Sequence, residues 1–295
     1  MNDGTAPFIE ARFVEAVGAA LDATVTTMRP LGGGDNARSF RLTLDDGRDV
    51  FAKTQPGAPP LTLSTEAAGL TWLAVPDAIA VPDVAAVSDG DPNFLVLSWI
   101  DEGGRGHARA EAELGRGLAT LHRAGAPSFG RADRRTTGSR GLPNEPCDTW
   151  AEFYATQRLL PLARLATDTG ALPPATVAEL DRLATRLGEI GGDPEPPARL
   201  HGDLWAGNRL VDRAGRNWLI DPAAHGGHRE FDLAMMRLFG GFGPECFTAY
   251  DDEYPLAAGW NDRVALHQIA PLVVHAIKFG GGYVASATRA IGQYR

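Results

Sequence analysis

The chain has 295 residues and a net charge of −9, with 44% hydrophobic and 22% charged residues. That apolar content at ordinary charge density excludes disorder of the whole chain. The acidic balance argues against a general nucleic-acid binder, which needs a basic face, and no stretch approaches the ~18 apolar residues of a membrane span.

In chain order, Ile9, Phe13, Val17 and Leu21 recur at four-residue spacing and predict one face of a helix. Thr24–Met28 reads as a strand, Leu31–Asn36 as a glycine-rich turn and Ser39–Leu44 as an alternating strand. Asp45-Asp46-Gly47 is a hairpin turn before a third strand, Asp49–Lys53. Leu63–Ala74 has helical spacing, with Ser64 as its candidate N-cap. Val81–Val84 and Phe94–Ile100 follow as strands, and the glycine-rich break Asp101–Gly106 is the best domain boundary.

Beyond the break the chain reads as mainly helical. Ala110–Arg123 predicts a helix, and residues 124–147 a long ordered loop rich in Gly, Pro, Arg and Thr. Asp148 is placed to cap a helix over 149–166, and Thr176-Val-Ala-Glu179 has the form of a capping box. Residues 199–221 are not helical, and two helices, 230–238 and 262–290, close the chain, the second carrying Pro271. The expected architecture is α+β in two lobes. Residues 1–100 would form an antiparallel sheet with one main helix, and residues 101–295 a mainly helical lobe.

Cys147 and Cys246 lie far apart and fit neither a disulfide framework nor a zinc motif. They read as ordinary buried thiols of a cytoplasmic protein, since Met1–Pro7 lacks a secretory pattern. Chemistry concentrates in His201-Gly-Asp203-Leu-Trp-Ala-Gly-Asn208, followed by a turn at Asp212–Gly215 and then Trp218-Leu-Ile-Asp221. An Asp, an Asn five residues later, and a hairpin returning to a second Asp is the layout of protein-kinase-like phosphotransferase loops. Phosphoryl transfer needs an acceptor for the substrate hydroxyl proton and oxygen ligands for magnesium. Asp203 suits the first role, and Asn208 with Asp221 suits Mg²⁺, a hard cation that keeps nucleotide phosphates in its shell. Alone, each acidic residue would be read as a turn or cap.

The N-terminal third supplies complementary parts. Gly33 and Gly34 of the glycine-rich turn would let backbone N–H groups approach the phosphates of ATP. Lys53 ends a strand and Glu66 lies in the next helix, the pair that positions the α- and β-phosphates in this architecture. Lys53 is one of only two lysines among 28 basic residues, which marks it out where arginine is otherwise preferred. Backbone groups of Ser98, Trp99 and Ile100 would meet the adenine at a hinge between lobes.

His201–Asn208, Ile220-Asp-Pro222 and Gly227-His-Arg-Glu-Phe-Asp-Leu-Ala234 together resemble the fructosamine kinase (ketosamine-3-kinase) family, a branch of the aminoglycoside-phosphotransferase-like group with a protein-kinase-like fold. The resemblance extends to Leu238–Phe242, Trp260 and Lys278-Phe-Gly-Gly281. It implies ATP- and Mg²⁺-dependent phosphorylation of the 3-hydroxyl of ribulosamine or fructosamine adducts of lysine or free amines, a step linked to deglycation. Carried over, Asp203 would be the base, Asn208 and Asp221 the metal ligands, Lys53 the phosphate ligand and Glu66 its partner. Trp205 would pack against the sugar. His201 would brace the loop backbone and Asp232 would hold the loop from the head of a helix. His228, Arg229 and Glu230 would line the substrate cleft or form a surface ion network. Pro222 stands where regulated kinases carry Phe-Gly, so no mobile switch is expected, and the arginine-rich segment 131–140 has no clear counterpart.

Rival readings are a kinase of the same fold acting on an aminoglycoside or choline-like hydroxyl, a catalytically inactive nucleotide-binding protein, and a metal hydrolase built on His201, Asp203, His225 and His228. The last lacks a helical ligand pair. The natural acceptor and the oligomeric state are not legible.

Overall fold

The computed structural model describes residues 5–32, 37–103, 108–134, 136–138 and 141–295, with side chains from residue 10 onward. A five-stranded antiparallel sheet comes first, in the order β1-β2-β3-β5-β4, from β1 Val25–Leu31, β2 Arg38–Leu44, β3 Asp49–Thr54, β4 Val84–Ser88 and β5 Phe94–Ser98. Two helices cover it, α1 Thr5–Leu21 and α2 Thr62–Ala74. Strand side chains alternate between faces, and β5 shows why both faces are covered. Phe94 and Val96 pack with Phe13 and Val17 of α1, whereas Leu95 and Leu97 pack with Leu63, Ala67 and Leu70 of α2. A continuous apolar run is what a strand buried on both sides requires. The expected face of α1 is present at Phe13 and Val17, while the side chain of Ile9 lies outside the described residues.

Several boundaries differ from expectation. Ser64 does not cap α2. The helix begins at Thr62 behind Leu61, which sits at φ 65°, and Ser64 Oγ instead donates to Leu61 O. The β4 strand starts at Val84 rather than Val81, because Pro82 has no N–H to give a ladder. β5 ends at Ser98, two residues early.

The helical part begins with α3, Ala108–Arg123, and the long loop after it carries a short ribbon of β6 Thr136–Thr137 and β7 Leu142–Pro143. Then come α4 Trp150–Tyr154, a π-turn Ala155–Leu159, α5 Leu160–Thr169, α6 Pro174–Ala184 and α7 Leu187–Ile190. Thr149, not Asp148, is the cap of α4, accepting from Glu152 N–H at 3.2 Å. Thr176 lies inside α6, where its hydroxyl meets that of Thr288, so its capping-box pattern serves helix packing instead.

Short strands β8 Ala198–Leu200, β9 Arg209–Val211, β10 Asn217–Leu219 and β11 His225–Gly227 surround the kinase-like motif. The chain closes with α8 Glu230–Phe239, α9 Pro244–Glu253, α10 Trp260–Phe279 and α11 Gly282–Gly292. The α9 helix was not expected, and the single long helix predicted at the C-terminus is divided. Gly280 at φ 63° and Gly281 at φ 57° take extended positive-φ conformations that only glycine adopts readily, and so break the helix. One core joins α5, α6, α10 and α11. A second joins α3, α8 and α9 and takes in Leu73 of α2, so the sheet half and the helical half share apolar packing. Cys147 and Cys246 are free, buried thiols.

Gly115 lets α3 lie directly on α9, since a Cβ there would stand 2.1 Å from Cys246 O. Gly115→Ala should therefore lower stability by about 1–3 kcal/mol, as overpacking does, despite alanine's better helix propensity. Gly188→Ala, which meets nothing within 4 Å, should be neutral or stabilising. Urea midpoints of the two variants would check this.

Candidate active site

Lys53 of β3 pairs across the sheet with Leu95 of β5. Directly opposed residues share a face, so its side chain points to the α2 side, where Glu66 is carried on the same surface as Leu63 and Leu70. Lys53 Nζ lies 2.6 Å from Glu66 Oε2 and 2.5 Å from Asp221 Oδ1. Burial would pull the ammonium's pKa down, but the two carboxylates hold it above its ordinary value. Burial pushes Glu66 up to about 8, with Asp221 adding to this and Lys53 opposing it. Asp221, half exposed, is held below its ordinary value: burial would raise it, but Lys53 more than offsets that. Asp221 sits at φ 52°, and the next residue, Pro222, lies against α2 at Gly69, where a Cβ would come within 3.2 Å of its ring.

The β9–β10 hairpin brings Asn208 to Asp221. Leu219 pairs with Arg209, and Ile220 N–H donates to Asn208 O at 3.0 Å, extending the ladder by one step. Asn208 Nδ2 donates to Asp203 O at 2.8 Å and to Asp203 Oδ2 at 3.2 Å, and reaches Asp221 O at 3.5 Å. The turn between the strands is tied by Asp212, whose Oδ1 accepts from the N–H groups of Ala214 and Arg216, both at 2.9 Å. Burial raises the Asp203 carboxyl to about 6, with Asp221 and Asp232 adding and the Asn208 hydrogen bond opposing.

Beneath the loop lies Asp232, in the first turn of α8 and fully buried. Its Oδ2 accepts from His201 N–H at 2.7 Å and its Oδ1 from Gly202 N–H at 2.9 Å. Burial would raise its pKa, but His122, His201 and these donors hold it below the usual carboxylate value. His201 Nδ1 accepts from Asp203 N–H at 3.2 Å, so the proton is on Nε2, which meets Ile220 O at 2.9 Å. Burial holds this ring's pKa down. His201 thus ties the loop that carries Asp203 to the strand that leads into Asp221.

A family model for fructosamine kinase matches residues 9–295. The chain belongs to the fructosamine kinase family. It is 34% identical to a Synechocystis protein named probable ketoamine kinase, over 90% of this chain and 89% of that one. It is 32% identical to the chloroplastic protein-ribulosamine 3-kinase of Arabidopsis thaliana, over 92% and 83%. A crystal structure from Thermobifida fusca named for fructosamine-3-kinase superposes with a TM-score of 0.86 at 39% identity, covering 95% of this chain and 97% of that one. The choline kinase of Streptococcus pneumoniae, 16% identical with a TM-score of 0.63 over 97% and 98%, shares the fold. As a fructosamine kinase family member with this protein-kinase-like α+β fold, the chain is an ATP-using phosphotransferase that acts on a hydroxyl group. No helix among the described residues is long and apolar enough to cross a membrane.

The remaining predicted residues divide. Gly33 and Gly34 lie outside the described residues. Ser98 N–H is already taken by Asp83 O at 2.9 Å, and Ile100 O by Glu102 N–H at 3.0 Å, so Trp99 contributes the intervening peptide of the linker. Trp205, 41% exposed, follows Asp203 by two residues and folds its indole over Gly207.

His228 and Arg229 do not reach the cleft. Both are buried, and Arg229 makes a bidentate pair with Glu195 at 2.7 and 2.8 Å while donating to the carbonyls of Tyr254 and Pro255. Their expected substrate contact gives way to a structural ion network, because all three guanidinium nitrogens of Arg229 donate within the fold. In the same network, ligand atoms of His228, Glu230 and His267 lie within 4.8 Å of one another, yet Arg263 already spans both oxygens of Glu230. The hydrolase set does not converge: His225 and His201 each hydrogen-bond a backbone carbonyl. Of segment 131–140, Arg131 pairs with Asp133 at 2.6 Å and stacks over Trp72. No motif marks His122, whose ring joins Tyr250 Oη at 2.8 Å to Asp232 at 3.3 Å.

Asp232→Ala would leave two backbone N–H groups and His122 without their partner, and should cost about 3–5 kcal/mol. Because the folded pKa of Asp232 is depressed, its ionisation stabilises the fold above the unfolded value of about 4 and that stability is lost as pH falls through the folded value. Urea unfolding between about pH 5 and 3 should show a steeper loss in the wild type than in Asp232→Asn.

Proposed function

We propose that this chain is a ketoamine 3-kinase: it transfers the γ-phosphoryl group of ATP to the 3-hydroxyl of a ribulosamine or fructosamine, on a free amine or on a protein lysine, as a step in deglycation. The observation that carries the reading is the joining of Lys53, Glu66 and Asp221 in one buried ion cluster, linked through Asn208 to Asp203. Relatives named for ketoamine and ribulosamine kinases support the acceptor class. The complete set of groups argues against an inactive nucleotide binder.

In this proposal residues 1–100 form the nucleotide-binding lobe and residues 101–295 the catalytic and acceptor-binding lobe. Lys53 meets the α- and β-phosphates, and Glu66 fixes its direction. Gly33 and Gly34 provide backbone N–H groups to the phosphates, and the Ser98–Ile100 linker meets the adenine through its backbone. Asn208 and Asp221 would hold Mg²⁺. Their donors are all oxygen, Asp221 is half exposed, and the Asn208 Nδ2 group is turned to Asp203, which leaves its carbonyl oxygen as the ligand. Bound there, the ion would neutralise phosphate charge during transfer.

Asp203 accepts the proton of the acceptor hydroxyl. With its carboxyl near 6, it is mainly ionised at neutral pH and still basic enough to help. Trp205 packs its indole on the C–H face of the sugar.

An ADP-release assay over ketoamines, aminoglycosides and choline tests the acceptor class, and turnover of only the latter two would overturn it. Asp203→Ala should lower kcat by about 10²–10⁴-fold, the usual general-base range. The wild-type kcat/KM should fall below about pH 6 with unit slope, since protonation removes the required carboxylate. Lys53→Met should lower kcat/KM for ATP by at least about tenfold through lost phosphate contact.

A further inference from the structure

Among the described residues, three Trp, Phe or Tyr side chains are exposed: Trp205 at 41%, Phe239 at 36% and Phe279 at 50%. They lie on one surface. Trp205 meets Phe239 edge-on with ring centroids 6.3 Å apart, Phe239 lies 5.0 Å from His275, and His275 lies 5.6 Å from Phe279. The ledge so formed starts two residues from Asp203 and runs out along the ends of α8 and α10. Three large apolar groups grouped in this way, rather than scattered, are the mark of a binding surface.

A groove of about 380 Å³ continues from the ledge between α8, α10 and α11, with Phe239 and Tyr283 in its wall. Its charge is the second observation. Arg289 is the one ionisable group with a formal charge in the groove lining, and no acidic residue lines it. Lys278, at the end of α10, lies over the Phe279 ring at 4.9 Å. A local positive, aromatic face on a chain of net charge −9 is selective for what it meets. It also adjoins the place where the acceptor must sit.

We propose that this ledge and groove bind the polypeptide that flanks a glycated lysine, and favour acidic and apolar neighbours in that polypeptide. The inference rests on the ketoamine reading and deepens it: the sugar is read at Asp203 and Trp205, and the carrier of the amine is read by Phe239, Phe279 and Arg289. The aromatic rings supply area with little side-chain entropy to lose, and the cations supply orientation. Free ketoamines of small amines meet the ledge at Trp205 alone and do not extend to Phe279 or Arg289.

The test compares three acceptors with the full-length enzyme: Nα-acetyl-ribulosyl-lysine, a peptide carrying ribulosyl-lysine between Glu and Leu residues, and the same peptide with Lys in place of Glu. The wild type should prefer the acidic peptide to the lysine-rich one in kcat/KM. Phe279→Ala and Arg289→Glu, both at exposed positions, should raise KM for the acidic peptide about fivefold or more, the loss that marks a contributing interface residue. Both should leave turnover of the acetylated amino acid unchanged. Equal activity of the wild type on the two peptides, or an equal loss on all three acceptors in the variants, would overturn the proposal. A wild type that phosphorylates none of the three, nor their fructosyl-lysine counterparts, refutes the ketoamine reading itself.

Discussion

One buried ammonium holds the site together. Lys53 sits on a strand, its partners Glu66 and Asp221 sit on a helix and on a loop of the helical half, and Lys53 and Glu66 are largely shut off from water while Asp221 stays half exposed at the mouth. A lone charge in such a place would be costly, and so would either carboxylate without it. The sheet can therefore keep Lys53 inside only if α2 and the loop after β10 are in their places. The packing follows the same demand, because Leu73 of α2 enters the core of the helical half.

The helical half answers with a second buried charge. Asp232 spends both oxygens on backbone N–H groups of the loop below Asp203, and a histidine from α3 closes the remaining side. A loop held by its backbone keeps its side chains free for chemistry. This is why Asp203 can be perturbed upward by burial while its neighbour Asp232, more deeply buried, stays ionised. Two carboxylates that serve one loop take different roles because one has donors aimed at it and the other has mainly a single carboxamide.

Much of this was legible in the residues alone. Transfer chemistry fixes residue types at fixed spacing, so Asp203, Asn208 and Asp221 stood out, and the scarcity of lysine drew attention to Lys53. The sheet was legible because Ser39–Leu44 alternates and Phe94–Leu97 is uniformly apolar. What stayed hidden depended on distant partners. His122 and Asp232 are 110 positions apart, and a lone histidine at a helix end carries no local signal. The α9 helix fully buries only Cys246, Ala249 and Tyr250, with Phe247 partly buried beside them, so its apolar periodicity is too thin to stand out. Arg229 read as a cleft residue because its motif adjoins the active loop, whereas its guanidinium turns inward to Glu195. Ser64 failed as a cap because the chain enters α2 through a left-handed Leu61.

The glycine at position 69 has a consequence for control. Where α2 would carry a side chain, it carries none, and Pro222 rests against the bare helix. The helix that holds Glu66 and the segment that holds Asp221 are thus seated on each other. In kinases that respond to signals these two parts separate and rejoin, and a phosphate or a partner decides which. Here they form a single wedge, with a ring of fixed φ on one side and no side chain on the other. In this chain the supports of Glu66 and Asp221 are seated together with no side chain of position 69 between them.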